Sequence, residues 1–200
     1  MVKEIAHIIL AAGASTRMGS PKQLLPWKEE SLIVSEIKKV QKLSQLETYV
    51  ILGANFDLIN KEIEHLPVRI LYNQSWQSGM GTSISTGVRH IMSATKKYKA
   101  VLISLIDQPF IDLVHFNNLI KHYAENPNAI VATAMQAKIG VPAIFSSIYF
   151  EELSELKEDF GARYIIKKYE DKVITLDGKN KTDDMDTIEQ YRLLIKRLKE

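Results

Sequence analysis

Short apolar segments alternate along the chain with longer segments in which apolar residues recur every three to four positions. The short segments are rich in β-branched residues and mostly continuous, which is typical of strands covered on both faces. This pattern predicts seven strands, over residues 5–10, 48–52, 68–71, 100–105, 130–134, 142–145 and 173–176.

The longer segments predict amphipathic helices between these strands. They cover residues 32–43, 58–65, 83–92, 113–124, 148–156, 162–169 and 187–198. Strict alternation of strand and helix implies right-handed crossovers and a mainly parallel sheet with helices on both faces. We therefore expect a three-layer α/β fold, and, because no linker or repeat interrupts the pattern, one domain over residues 1–200.

Composition excludes several classes of function. The formal net charge is only +2, from 26 basic and 24 acidic residues, whereas nucleic-acid binders usually carry a concentrated basic field. The chain has no cysteine, so thiolate nucleophiles, zinc–thiolate sites and disulfides are excluded. No segment approaches the roughly 18 apolar residues of a membrane span, and the first residues lack the apolar core of a signal peptide. A cytoplasmic location is the expectation.

Polar and small residues follow three of the predicted strands directly, at residues 11–22, 73–81 and 107–109. In open parallel sheets, ligands bind outside the carboxyl ends of the strands. We therefore expect these three loops to form one binding edge.

The first loop reads LAAGASTRMGSPK and combines small residues with two cations, Arg17 and Lys22. Consecutive backbone N–H groups can cradle oxyanions, the guanidinium fork suits phosphate, and an ammonium group adds a mobile charge. The spacing matches neither the P-loop nor the dinucleotide-binding fingerprint, so a tight turn with incidental surface charge remains the alternative. The candidate nucleotide-binding residues are Leu10, Ala11, Ala12, Gly13, Ser15, Arg17 and Lys22.

Two acidic positions are candidates for a Mg²⁺ site. Asp107 follows an apolar strand. No helix is predicted directly after it, because Pro109 and Phe110 intervene. A second acidic group, DDMD at residues 183–186, precedes the last helix, where capping is the competing explanation. Mg²⁺ typically takes one or two carboxylates and completes its shell with phosphate and water. Either Asp184 or Asp186 could therefore complete a site with Asp107.

The second loop contributes Gly79 and Ser83, the latter near a predicted helix N-terminus that favours anions. A plain glycine-rich helix start is the alternative. Trp76 is either a pocket wall or part of the core. The five histidines follow no metal-binding spacing and are interpreted as surface or structural residues.

Taken together, these motifs resemble the nucleotidyltransferases of molybdenum cofactor maturation, particularly the cytidylyltransferase branch. The resemblance covers nearly the whole chain. It rests on the signature LAAGxSxRMGxxKxLLP at residues 10–26, NQSWQSGMGTSISTGV at 73–88, DQP at 107–109, GVPAIF at 140–145, EDFGAR at 158–163 and DMDT at 184–187.

The resemblance implies a Rossmann-like nucleotidyltransferase fold and transfer of CMP from CTP to the terminal phosphate of molybdopterin, with release of pyrophosphate. The first loop would hold the nucleotide, Asp107 would bind Mg²⁺, and Asp186 would be a second ligand. Transient contact with a molybdoenzyme is also implied. The chain departs from the family pattern at Val141, where His is usual, at Gln190, where Asp is frequent, and at Ile106, where the cytidylyl enzymes often carry Cys.

Three other functions are considered. A guanylyltransferase for the same cofactor and a nucleotidyltransferase for a small phosphorylated metabolite would use the same residues. A non-catalytic chaperone that delivers molybdopterin to a molybdoenzyme belongs to a different class, and the presence of Arg17, Lys22 and Asp107 argues against it.

Overall fold

The computed structural model describes residues 4–135, 138–157 and 161–199. In these residues the strands are β1 (Ile5–Leu10), β2 (Pro26–Trp27), β3 (Glu30–Ser31), β4 (Leu46–Leu52), β5 (Arg69–Tyr72), β6 (Ala100–Leu105), β7 (Ile130–Met135), β8 (Lys138–Ser146) and β9 (Val173–Asp177). The helices are α1 (Leu32–Gln41), α2 (Phe56–Ile63), α3 (Met80–Ser93), α4 (Leu113–Glu125), α5 (Phe150–Ser154), α6 (Ala162–Lys168) and α7 (Ile188–Leu198).

Seven strands form one sheet in the order β5-β4-β1-β6-β8-β7-β9. All run parallel except β8, which is antiparallel to both of its neighbours. The predicted α/β fold with a mainly parallel sheet is confirmed, and all seven predicted strands are present. The prediction of strict alternation is wrong at one point, because β7 and β8 follow each other without a helix and pair directly.

Helices cover both faces of the sheet and give two hydrophobic cores. Alternate residues of β1 point to opposite sides, so that Ile9 packs in the core beneath α1, α2, α4 and α7, and Ile8 packs in the core beneath α3, α5 and α6. Both side chains are buried. Burial on both faces explains why the strands are continuously apolar, and the predicted three-layer architecture is confirmed.

Several element boundaries differ from the prediction for local reasons. Helix α3 begins at Met80, three residues before the predicted start, because Gly79 adopts a φ of 105° as its N-cap. Because Gly81 and Thr82 are weak helix formers, the sequence pattern did not predict this first turn. The predicted helix at 148–156 is a 3₁₀ turn followed by the short α5. The two-residue strands β2 and β3 are too short to give a pattern. No helix in the described ranges is both long enough and apolar enough to cross a bilayer.

The carboxyl ends of β1, β4 and β6 meet at one edge of the sheet. Leu10, the last residue of β1, is in register with Ile51 of β4 and with Leu105 of β6. Backbone hydrogen bonds extend the pairing beyond the strands, from Ala54 N–H to the Ala12 carbonyl and from Ile106 N–H to the Leu10 carbonyl. The loops that follow β1 and β6 therefore start side by side.

The loop after β4 approaches its neighbours so closely that it requires glycine. A Cβ at Gly53 would lie 2.5 Å from Cβ of Trp76 and 2.8 Å from the Ala12 carbonyl oxygen. Neither neighbour is the flexible end of a side chain, so the backbone would have to move.

We expect Gly53→Ala to lower the free energy of unfolding by about 1–3 kcal/mol, as in other overpacked sites. Urea denaturation would measure the change. Gly13→Ala is the matched control, because a Cβ there meets nothing within 4 Å. Equal stability of both variants and the wild type would contradict the close approach at Gly53.

Candidate active site

The first loop is a compact turn that brings Lys22 back to the sheet. Ser15 and Gly19 adopt positive φ angles of 54° and 70°. The Ser15 hydroxyl accepts a hydrogen bond of 3.0 Å from the backbone N–H of Lys22. Ser15, a predicted nucleotide-binding residue, therefore makes a contact within the loop. Pro21 precedes a 3₁₀ turn that starts at Lys22. In this turn the side chain of Lys22 is buried.

A buried amide fixes the small residues of this loop. The side chain of Gln23 donates to the carbonyl of Ala11 at 2.7 Å and to that of Gly13 at 3.0 Å. Its own oxygen is buried and has no partner among the described residues. The role of Gln23 was missed in the sequence, since a glutamine beside a lysine carries no pattern that indicates it.

The ammonium group of Lys22 lies between two carboxylates. Nζ of Lys22 is 3.0 Å from Oδ2 of Asp107 and 2.9 Å from Oδ1 of Asp186. Arg17 donates to the other oxygen of Asp186 at 3.1 Å. Lys22 is only 11% exposed, whereas Arg17 is 69% exposed. Four predicted site residues from three distant parts of the chain thus form one ion network.

Burial and charge act against each other on the pKa values in this network. Burial alone would lower the pKa of Lys22, but Asp107 and Asp186 outweigh it and raise that pKa. Burial raises the pKa of Asp107, and Lys22 offsets this only in part. Burial would also raise the pKa of Asp186, but Lys22 and Arg17 hold it below its usual value. The site is an anionic pair neutralised by internal cations.

The acidic residues before α7 make different contacts. Asp184 accepts a hydrogen bond from Gln108 at 2.9 Å and lies 3.5 Å from Nζ of Lys138. The backbone N–H of Met185 donates to the Asp107 carbonyl at 2.9 Å. Of the two acids considered from the sequence, Asp186 is the one that shares a cation with Asp107.

The departure from the family pattern at Gln190 has a structural role. Thr187 caps α7 and forms a capping box with Gln190. The Gln190 side chain also accepts from the backbone N–H of Asp186 at 2.8 Å. Capping is thus carried by Thr187 and Gln190, which leaves the Asp186 carboxylate to the ion network.

The second loop presents a helix N-terminus to the same edge. Ser83 lies in the first turns of α3 and is buried. Its hydroxyl accepts a hydrogen bond of 2.9 Å from Asn73, a buried residue directly after β5 that begins the NQSW segment but was not among the predicted site residues. Asn73 also bonds the hydroxyl of Thr82 at 2.9 Å. This amide fixes the start of α3 against the sheet edge.

Two cavities open at this edge and meet at Asp107. The smaller has a volume of about 400 Å³, and the larger about 690 Å³. Met80, Leu105 and Asp107 line both. The smaller cavity is lined by most of the predicted nucleotide-binding residues, Leu10, Ala11, Ala12, Gly13, Lys22, Gly79 and Ser83, and by Trp76, which is a cavity wall.

The larger cavity lies on the α6 side of Asp107. Arg17 lines it together with Asp184 and Asp186. Val141, at the position where the family usually has His, is part of its wall. Arg163 of the predicted EDFGAR segment also lines it, whereas residues 158–160 of that segment lie outside the described residues.

The donor set at Asp107 is compatible with a hard divalent cation. One carboxylate oxygen, Oδ1, is buried without a hydrogen-bond partner in the described ranges. The other faces Asp186 across the shared ammonium group. No group of three or more metal-ligating side chains occurs within residues 4–135, 138–157 and 161–199. Two carboxylates completed by phosphate and water are what Mg²⁺ prefers.

The two buried histidines have structural partners. Nε2 of His7 is 2.9 Å from the Ser104 hydroxyl, and Nε2 of His115 is 2.8 Å from that of Thr133. Neither lines the two cavities at the sheet edge.

Solved structures share the fold of this chain. A homologue of Rv0371c from Mycobacterium sp. strain JC1 superposes with a TM-score of 0.84 at 24% identity, covering 99% of this chain and 98% of the other. Rv0371c of Mycobacterium tuberculosis in complex with manganese gives 0.79 at 21% identity, covering 96% and 98%. A nucleotidyl transferase from Methanothermobacter gives 0.78 at 17% identity, covering 96% of both chains. The fold is that of nucleotidyltransferases.

The chain belongs to the family described as MobA-like NTP transferase domain, which matches residues 7–173. Two curated relatives extend over almost the whole chain. Nicotine blue oxidoreductase of Paenarthrobacter nicotinovorans is 29% identical over 202 residues, covering 95% of this chain and 96% of the relative. Purine catabolism protein PucB of Bacillus subtilis strain 168 is 29% identical over 198 residues, covering 94% of both. The expected family is confirmed.

We predict that Lys22 and Asp107 are energetically coupled in the folded state. Lys22→Met leaves partly buried carboxylates without their ammonium partner, and Asp107→Asn should relieve part of that penalty. A double-mutant cycle by urea denaturation should give a coupling energy on the order of 1–3 kcal/mol.

The exposed pair Lys99–Glu4 is the matched control for this cycle. Its side chains are 67% and 49% exposed, and the coupling between Lys99→Met and Glu4→Gln should be below about 0.5 kcal/mol. Purely additive effects of Lys22→Met and Asp107→Asn would show that the ion pair at the sheet edge does not form.

Proposed function

We propose that this nucleotidyltransferase transfers CMP from CTP to the terminal phosphate of molybdopterin with release of pyrophosphate. The observation that carries the proposal is the meeting of two cavities at Asp107, where Lys22 and Arg17 gather beside two carboxylates. The resemblance to the cytidylyltransferase branch supports CTP and molybdopterin in particular. The reaction would take place in the cytoplasm, and the product would pass to a molybdoenzyme.

The chief obstacle in this reaction is charge, because a phosphate must attack another phosphate. Catalysis then consists of positioning and electrostatic neutralisation, with little covalent chemistry. Lys22 would move from the carboxylates to the triphosphate, and the exposed Arg17 would bind the leaving pyrophosphate. The acceptor phosphate is already ionised near neutral pH, so no general base is required of the histidines.

Asp107 and Asp186 would hold the divalent cation. Bound there, Mg²⁺ would neutralise phosphate charge and polarise the α-phosphorus. The unpartnered oxygen of Asp107 and the convergence of both carboxylates on one cation support this assignment. The manganese complex of the Mycobacterium tuberculosis neighbour supports a divalent cation in this fold. Asp107 is the primary ligand in the proposal because it is the more buried of the two.

The smaller cavity suits the nucleoside and the larger one the acceptor. Close-packed small residues in the first loop let the backbone approach a base and ribose. The larger cavity combines an apolar wall, including Met135 and Val141, with Arg163 and Lys167 of α6. Among the described residues, neither of these two cations forms an ion pair. A cavity of this kind fits a bulky acceptor that carries a phosphate.

The alternatives differ in substrate and are separated by one experiment. The purified protein would be incubated with molybdopterin, Mg²⁺ and each of CTP, GTP, UTP and ATP, and pyrophosphate release would be measured. Release with CTP supports the proposal, and release with GTP would make the protein a guanylyltransferase. Release only with another phosphorylated acceptor would replace molybdopterin, whereas none under any condition would favour the delivery chaperone.

We expect Asp107→Asn to lower turnover by roughly 10²-fold or more, because it removes one electrostatic stabiliser of the reaction. The fold should remain intact, as judged by circular dichroism, since the amide keeps the shape of the side chain. Pyrophosphate release measures the effect. A variant with nearly wild-type turnover would remove Asp107 from the metal site.

We expect Lys22→Ala to weaken CTP binding by about 10–100-fold, the value of one charge-assisted hydrogen bond. Isothermal titration calorimetry with CTP and Mg²⁺ would measure the dissociation constant. Lys121→Ala is the control, because Lys121 is an exposed lysine of α4 outside both cavities. Unchanged CTP affinity in Lys22→Ala would place the triphosphate elsewhere.

A further inference from the structure

A second lysine makes a buried contact with the loop that carries Asp107. Lys39 lies on α1, and its ammonium group donates to the carbonyl of Pro109 at 3.1 Å and to that of Ile111 at 2.6 Å. It also donates to Glu36, one helical turn earlier, at 2.8 Å. An ammonium group has three N–H donors, so all of them are used. Lys39 is 19% exposed and Glu36 is 9% exposed.

The loop held in this way starts at Asp107 and ends at α4. It contains no helix or strand, and Gln108, Pro109 and Ile111 are buried within it. Carbonyl groups in a buried loop need partners other than a regular ladder. On one side the loop is held by Met185, whose N–H bonds the Asp107 carbonyl. On the other side, Lys39 donates to the carbonyls of Pro109 and Ile111.

Stability alone is a weak reason for an ion pair in this position. Burial raises the pKa of Glu36 to about 7, and Lys39 offsets this only in part. Removing two charges from water is costly, and buried ion pairs can often be replaced by apolar residues without loss of stability. What an apolar pair cannot do is bind the two carbonyls of the loop.

We propose that Lys39, held by Glu36, is a positioning residue that fixes the loop after β6 and thereby aims the Asp107 carboxylate at the metal and the triphosphate. The inference rests on the proposed nucleotidyl transfer. Lys39 lines neither cavity and so acts through Asp107. The residues that support metal ligands typically change metal affinity by 10–100-fold when they are altered.

The test is the double variant Glu36→Leu/Lys39→Met, which removes the pair without leaving a buried charge. Its urea midpoint should fall, because two buried loop carbonyls lose their donor, but the variant should remain folded without urea. Calorimetry with Mn²⁺, in the presence of a CTP analogue with a methylene bridge between the α- and β-phosphorus, should show roughly tenfold weaker Mn²⁺ binding. Turnover should fall by a similar factor, whereas KM for CTP should change by less than about threefold.

The matched control is Glu30→Leu/Lys38→Met, which removes an exposed ion pair next to the same helix and should leave Mn²⁺ affinity unchanged. Wild-type Mn²⁺ affinity in folded Glu36→Leu/Lys39→Met would overturn the proposal. If that variant does not fold, Glu36→Gln/Lys39→Gln replaces it, since the shorter amide at position 39 cannot span both carbonyls. Wild-type Mn²⁺ affinity there, or failure of both variants to fold, would show that the pair only stabilises the fold.

Failure of the proposed function gives a different result. A wild-type protein that releases no pyrophosphate with any triphosphate would refute nucleotidyl transfer. The Mn²⁺ affinities of the variants would still decide whether Lys39 positions Asp107.

Discussion

The contact of one ammonium group with two carboxylates organises this molecule. Lys22 joins Asp107 and Asp186, which lie 85 and 164 positions away along the chain. Two carboxylates that approach each other in a partly buried place repel unless a cation neutralises them. A triphosphate and its metal carry the same two kinds of charge, with the anionic phosphates matching the carboxylates and the metal matching the ammonium group. In the proposed reaction, Lys22 would exchange the two carboxylates for the triphosphate, and the carboxylates would exchange Lys22 for the metal.

The rest of the site holds the members of this contact in place. Gln23 fixes the carbonyls of the first loop, and Gln190 caps α7 so that Asp186 is directed to Lys22. Gln108 engages Asp184, which separates that acid from the ion network. Each support is an uncharged amide, which can fill its hydrogen bonds without adding charge to the site. The contacts of the network are therefore made by four ionised groups, and the nearby charge of Asp184 adds to the rise in the pKa of Asp107.

The sequence predicted the sheet well because both of its faces are buried, which leaves a continuous apolar signal in each strand. The convergence of Arg17, Lys22 and Asp107 could be predicted because the carboxyl ends of parallel strands share one edge of the sheet. Which of Asp184 and Asp186 shares a cation with Asp107 could not be predicted, because it depends on which of the two carboxylates Gln108 contacts. The contacts of Gln23 and Lys39 were missed for a similar reason. Their partners are backbone carbonyls that the fold brings close, and because every residue has a carbonyl, the sequence does not indicate which ones are contacted.

The most direct test of the central claim is a crystal structure with Mn²⁺ and the methylene-bridged CTP analogue, with the metal located by its anomalous signal. We predict Mn²⁺ in direct coordination with carboxylate oxygens of Asp107 and Asp186. Nζ of Lys22 should have left both carboxylates and should bond the triphosphate. Mn²⁺ bound elsewhere, or Lys22 still between Asp107 and Asp186 with the nucleotide in place, would contradict it.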